Sequence, residues 1–229
     1  MQSALGLFLT LILSLLQYES EKILEHIKQY KAQIFSFGAG LSIAYVFLVL
    51  LPEINLGTQF LEKLVFVYVL CGFLTFLFVE HYIREHKKKK IKEELFYMHA
   101  ITMFAYHFIA GVLIYKLITT NIWSGLLFFV AVFVYSLISD ETLAEMYVKR
   151  KKESWLTFIL AGASYFGMLF GVFITLATPL YYLLVSFLAG ALLFIVIREI
   201  MPKDKKNHMG FFYAGAILYA LLILTVWSL

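Results

Sequence analysis

Positive charge is segregated along this chain, and the segregation limits its fold more than any motif does. Eight apolar runs alternate with short connections, and 17 of the 19 Lys and Arg residues fall in every second connection. The first holds Lys22, Lys28 and Lys31, and the second Arg84, Lys87, Lys88, Lys89, Lys90 and Lys92. The third holds Lys149, Arg150, Lys151 and Lys152, and the fourth Arg198, Lys203, Lys205 and Lys206. The other side keeps Lys63 and Lys116. Short basic loops stay on the cytoplasmic face of a membrane. The split therefore predicts an integral membrane protein with both termini outside, expected in the plasma (cell) membrane.

Composition agrees with this reading. The chain has 229 residues, of which 62% are hydrophobic and 15% charged, too apolar for an ordinary soluble domain. A helix needs about 20 apolar residues to cross the hydrocarbon core. Eight such helices leave no length for a soluble unit, so residues 1–229 form a single membrane domain. The net charge of +4 belongs to the topology-setting loops and does not indicate a nucleic-acid partner. Cys71 is the one cysteine, which excludes an intrachain disulfide and a multi-cysteine metal site. Residues 1–16 lack the basic start and small-residue cleavage site of a signal peptide, so they are expected to remain as a short first span.

The expected spans are 2–17, 33–52, 60–82, 96–118, 122–147, 155–176, 178–201 and 209–228. Pro52, Pro179 and Pro202 all lie at span ends, where a missing N–H costs little. Ile23, Leu24, Ile27 and Tyr30 share a helical face opposite Glu25 and Lys28, which predicts an amphipathic helix on the membrane surface. There is also an internal echo. Ala39-Gly40-Leu41 precedes Pro52 as Ala189-Gly190-Ala191 precedes Pro202, with the same distance from Gly to Pro. The two spans run in opposite directions, a relation typical of inverted repeats in secondary transporters.

Ionisable groups within a span mark candidate sites, because the bilayer penalises them heavily unless they face protein or water. His107 falls near the middle of the fourth span. Asp140 and Glu141 lie in the inner half of the fifth, with Glu145 one turn beyond Glu141. An imidazole and up to three carboxylates on adjacent antiparallel helices suit Zn²⁺, Fe²⁺ or Mn²⁺ better than Cu⁺. Each group also has a structural reading. Glu145 is spaced to pair with Lys149, and His107 is placed to hydrogen-bond a neighbouring helix. Two adjacent acids such as Asp140 and Glu141 are not neutralised by one lysine.

These features resemble the ZIP (Zrt/Irt-like) family of divalent-metal transporters over nearly the whole chain. Gly38-Ala39-Gly40 through Leu50-Leu51-Pro52-Glu53 is similar to the family's second span, and Ala189-Gly190 through Ile200-Met201-Pro202 to its seventh. The resemblance implies an all-α integral membrane fold of eight transmembrane helices, with an inverted repeat of spans 1–3 and 6–8 around spans 4–5. The family's His-Asn-x-Pro-Asp/Glu-Gly motif corresponds to Tyr106-His107-Phe108-Ile109-Ala110-Gly111, which keeps the glycine. Its His-Glu-x-Pro-His-Glu motif corresponds to Asp140-Glu141-Thr142-Leu143-Ala144-Glu145, which keeps both glutamates. Ser164 stands where bacterial members often carry Glu. Ala110 and Ala144 occupy the bridging positions of a two-metal site and would face one another, so the resemblance implies a single-metal site of His107, Asp140, Glu141 and Glu145.

The resulting expectation is a carrier of divalent metal cations working by alternating access, without ATP, since no Gly-rich Lys-Ser/Thr loop is present. It is not an enzyme, needs no prosthetic group, and has the lipid bilayer and a divalent metal ion as partners; a homodimer is left open. The alternative is a ZIP-fold membrane protein that no longer transports and acts as an interaction or regulatory protein, favoured by the two alanines. A third reading, an intramembrane metal-dependent hydrolase built from His81, His99, His107 and Asp140, requires three ligands to converge on one open metal.

Overall fold

A computed structural model describes residues 2–26, 28–86, 92–147, 154–197 and 209–228, and every element within these ranges is helical. Helix α1 (Gln2–His26) is one rod, which corrects the expectation of a short span followed by a separate surface helix. Lys22 and Glu19 pair at 2.6 Å one turn apart, and the Ser20 hydroxyl donates to the Gln17 carbonyl at 2.9 Å. Both contacts favour continuing the helix past the apolar run. A 3₁₀ turn at Lys28–Tyr30 leads into α2 (Lys31–Tyr45), a π turn at Val46–Leu50 and α3 (Leu51–Leu61), which follow one another without a break. The π turn lies just ahead of Pro52, whose ring and absent N–H disturb the regular α ladder.

Glu62, with φ of 49°, turns the chain into α4 (Leu64–His86). Helices α5 (Lys92–Thr120) and α6 (Ile122–Tyr147) meet at Asn121, whose Oδ1 accepts from the backbone N–H of Trp123 at 2.9 Å and of Ser124 at 3.2 Å. That is an N-cap, and it fixes where α6 begins. The expected sixth span is divided at Gly162 into α7 (Ser154–Ala161) and α8 (Ala163–Phe173). Helix α9 (Thr178–Ile195) starts at Pro179, and α10 (Met209–Trp227) closes the chain.

Among the described residues, six helices are long and apolar enough to cross a membrane: Gln2–Ser20, Ala32–Leu61, Leu64–Ile83, Tyr97–Thr120, Thr178–Ile195 and Met209–Trp227. Ile122–Val134 and Ala163–Phe173 are shorter apolar stretches. Phe78, Ile101, Phe158 and Phe173 are all more than 60% exposed, a surface that matches lipid rather than water. Exposed Thr75 turns its hydroxyl onto Cys71 O at 2.8 Å, and buried Thr10 and half-buried Thr102 likewise bond Gly6 O and Met98 O at 2.9 Å. In hydrocarbon every polar group needs an internal partner.

Three helix pairs touch backbone to backbone through facing glycines. A Cβ at Gly40 would meet the Phe212 carbonyl and the Ala216 nitrogen, and one at Gly215 would meet the Phe37 carbonyl. Likewise Gly190 faces Val69 O and Phe73 N, and Gly72 faces Phe187 O. Gly111 faces Ser164 O and Met168 N, and Gly167 faces Phe108 O. In each pair a glycine sits against the residues three before and one after its opposite glycine. The pairs α2–α10, α4–α9 and α5–α8 thus share one contact geometry.

These contacts sort the helices into two groups. Helices α2, α3, α4, α9 and α10 pack among themselves, as do α1, α5, α6, α7 and α8. A seam of α2–α6, α5–α9 and α4–α5 contacts joins the groups. Replacing Gly40 or Gly190 with alanine drives a Cβ into a carbonyl and should lower stability by about 1–3 kcal/mol. Gly210→Ala, where nothing lies within 4 Å, should not destabilise. Thermal unfolding of the purified variants in one detergent checks the contrast.

Candidate functional site

The interior of the bundle is built on α5. Tyr106 is 1% exposed, His107 3% and Ala110 0%. The Tyr106 ring meets His107 edge-on with centroids 5.2 Å apart, and on its other side meets Phe76 of α4 at 6.0 Å. Gly111 brings the α8 backbone against this same stretch. His107 is therefore buried in the interior of the bundle.

What stands opposite His107 follows from the hairpin at Asn121. Gly125 has no side chain, and a Cβ there would meet the backbone of Ile118, so these two residues face each other across the turn. Eleven residues before Ile118 is His107, and eleven after Gly125 is Ser136. Ser136 is completely buried. The same register puts Ala110 level with Phe133 and leaves Ala144 roughly 16 Å farther along α6 at 1.5 Å per residue. The side chain of Ala144, expected to face Ala110, lies outside the described residues.

Asp140 is about one turn, ~6 Å at that rise, beyond the level of His107. The side chains of Asp140, Glu141 and Glu145 lie outside the described residues. Among the described residues no three His, Cys, Asp or Glu side chains gather in a way that could hold a metal ion. His107 is the proposed ligand that can be placed, with Ser136 level on α6. On α8, Ser164 is fully buried and its hydroxyl has no hydrogen-bond partner. Imidazole nitrogen and hydroxyl oxygen are neutral donors.

The histidines of the hydrolase reading separate. The His81 side chain is 73% exposed and lies 3.7 Å from Glu85, whereas His99 and His107 are buried. Glu80 of α4 is also buried. A further polar contact, with no warning in the sequence, lies at the opposite end of the bundle. The Tyr181 hydroxyl donates to Glu53 Oε1 at 3.0 Å, and Tyr182 packs on Gly57 and Phe60 nearby. A tyrosine and a glutamate 128 residues apart carry no local pattern that would pair them. No family model matches this chain, and no curated protein matches it.

The register makes a design test. Ser136→His places a second imidazole level with His107 and should raise Zn²⁺ affinity by about tenfold, or 1.4 kcal/mol. Ala144→His, well outside that level, should leave affinity unchanged. Isothermal titration of both variants separates the depth assignment from the motif alignment.

Proposed function

We propose that this chain is a ZIP-like carrier of divalent metal cations, built from eight transmembrane helices and working by alternating access. The observation that carries this reading is the burial of His107 at the middle of α5, on a helix paired with the one that bears Asp140, Glu141 and Glu145. A buried imidazole beside intramembrane acids is a costly arrangement in hydrocarbon and is ordinarily kept for function. Imidazole and carboxylate donors favour Zn²⁺, Fe²⁺ or Mn²⁺ as the transported ion.

The contacts also support an inverted repeat of spans 1–3 and 6–8. Gly190 follows Gly40 by 150 positions, and Gly215 follows Gly72 by 143. Under that correspondence the α2–α10 interface becomes the α9–α4 interface, and the two have the same glycine register. The π turn that begins at Val46 has its counterpart at residues 196–197, which are again π-wound. The α5–α8 pair would correspond to α6–α1, and those helices do pack together. In this reading the glycine-locked groups are the moving units, and the seam between them carries the ion's path.

Alternating access would expose His107 to one side at a time, with the α6 acids supplying charge. A homodimer fits the lipid-facing surface of α10, of which only 17% is buried. The second reading is a ZIP-fold protein that has lost transport. Ala110, buried without a donor atom, favours it.

Uptake by proteoliposomes loaded with a divalent-sensitive dye decides between the two. His107→Ala and Asp140→Asn should each cut saturable uptake at least tenfold while leaving the melting profile unchanged. Equal dye response from wild type and empty liposomes would favour the non-transporting reading. The orientation, both termini outside in the cell membrane, has its own test. In a Cys71→Ser background, single cysteines at Thr58 and Thr120 should react with an impermeant thiol reagent on intact cells, and one at Ser154 should not.

A further inference from the structure

Gln17 of α1 is a carboxamide held inside the protein, on a helix to which the proposed ion site assigns no ligand. It is 8% exposed, and its Oε1 is enclosed with no hydrogen-bond partner among the described residues. The stretch that carries it, Gln2–Ser20, is one of those apolar enough to cross a membrane. A glutamine kept for helix association would bond a neighbouring helix. An amide oxygen enclosed with nothing to bond costs stability unless something brought from outside the chain binds it.

The place of Gln17 follows from Gly6. A Cβ at Gly6 would meet the side chains of Ile118 on α5 and Met168 on α8, and one at Gly125 of α6 would meet Ile118 as well. Gly6, Ile118 and Gly125 thus surround one point at which α1, α5 and α6, packed pairwise, come together. Gly6 is near the start of α1 and Ile118 near the end of α5, so these two helices run antiparallel. Eleven residues from that point, forward on α1 and α6 and backward on α5, are Gln17, Ser136 and His107. Eleven residues make about three turns, which returns each to its contact face about 16 Å along. All three are at least nine-tenths buried. Ser164 of α8 is within about one turn of this layer, because its carbonyl meets Gly111, four residues from His107.

We propose that the Gln17 carboxamide oxygen is a ligand of the ion held at His107, and that it shifts the preference of the site away from Zn²⁺ and towards Mn²⁺. This deepens the carrier reading and rests on it. The layer offers one imidazole nitrogen, one amide oxygen and the hydroxyls of Ser136 and Ser164. Zn²⁺ is best served by nitrogen and sulfur donors in a tetrahedron. Carbonyl and carboxylate oxygens suit Mn²⁺. Mg²⁺ and Ca²⁺ take oxygen ligands throughout, so the imidazole disfavours them.

An amide oxygen raises the number of ligands without adding charge. Higher coordination by neutral oxygen helps the larger, less demanding ion more than it helps tetrahedral Zn²⁺. At any single site raw affinity still rises from Mn²⁺ to Zn²⁺, so the contribution of Gln17 is read from the ratio of the two affinities and not from either one alone. The same reasoning gives α1 a part in the ion's path: it packs on α5, α6 and α8 and brings to them a polar side chain that its apolar neighbours Leu13 and Leu16 do not offer.

Binding of Mn²⁺ and of Zn²⁺ to the full chain in nanodiscs, measured by titration calorimetry with no transport step, tests the assignment. Gln17→Met keeps the length of the side chain and removes its oxygen. It should weaken Mn²⁺ at least about tenfold, the loss expected even for a supporting partner of a metal, and weaken Zn²⁺ less. Gln17→His should lower the Mn²⁺:Zn²⁺ affinity ratio by about tenfold or more, because an imidazole replaces an oxygen. Gln17→Glu, which retains an oxygen, should bind Mn²⁺ at least as well as wild type, and with Gln17→His it decides the matter should Gln17→Met not fold. A Gln17→Met protein that binds both ions as wild type does has a glutamine that holds only water, and overturns the proposal. So does one that loses both ions equally. If His107→Ala abolishes binding while Gln17→Met leaves it intact, the ion site stands and the amide ligand falls. A wild-type chain that binds neither ion overturns the carrier reading and this inference together.

Discussion

Direct contact between helix backbones at glycine organises everything else in this protein. Among lipid tails, which are as apolar as leucine, two helices gain little by hiding hydrophobic surface from each other, so association depends on close packing. Gly40 with Gly215, Gly72 with Gly190 and Gly111 with Gly167 remove the side chains that would hold the axes apart. Large residues then fill the space around the contacts. Tyr45, Phe128 and Tyr219 interlock at ring distances of 5.9 and 6.3 Å, and Phe73 meets Phe194 edge-on at 5.6 Å. Because each glycine contact fixes the depth of one helix against another, it also fixes the depth at which every polar side chain arrives.

Polar groups are distributed in keeping with that framework. Glu53 and Tyr181 tie α3 to α9 and so link the two glycine pairs of one group. The Tyr219 hydroxyl reaches the Leu127 carbonyl of α6 at 2.5 Å, and this bond crosses the seam. Interfaces within a group are thus sealed by backbone packing, whereas the seam is bridged by side chains. Side-chain contacts can be exchanged for others or for water at modest cost. Backbone contacts at glycine cannot be repacked without separating the helices.

Much of the helical framework was legible in the sequence, because a helix in hydrocarbon must be a continuous apolar run. The expected runs begin within a few residues of α2, α4, α5, α9 and α10, but the second run ended at Pro52 whereas α3 carries the helix on to Leu61, through the connection expected there. Helix α1 outran its apolar stretch because the Glu19–Lys22 pair keeps it helical in a polar setting, and the pause at Gly162 looked like one more small residue in a long span. The echo of Ala39-Gly40 in Ala189-Gly190 is visible in the sequence, and it extends to Ser36-Phe37 and Ser186-Phe187. His107 could be singled out from its place in a span. Ser136 could not, since its relevance comes from the pairing of Gly125 with Ile118, and register between helices is a tertiary property that no periodicity within one helix encodes.

The site and the seam then constrain each other. His107 lies on a helix whose α8 face is closed by Gly111 against the Ser164 carbonyl, so no ion path can run between α5 and α8 without breaking a glycine lock. Helices α1, α4, α6, α7 and α9 also pack on α5, and the contacts with α4 and α9 belong to the seam. Tyr106, adjacent to His107, sits against Phe76 on α4, and Glu80 is four residues farther along α4, on the same face as Phe76. Displacing α4 from α5 would therefore disturb the ring beside His107 in the same movement, because Phe76 and Tyr106 meet across that contact.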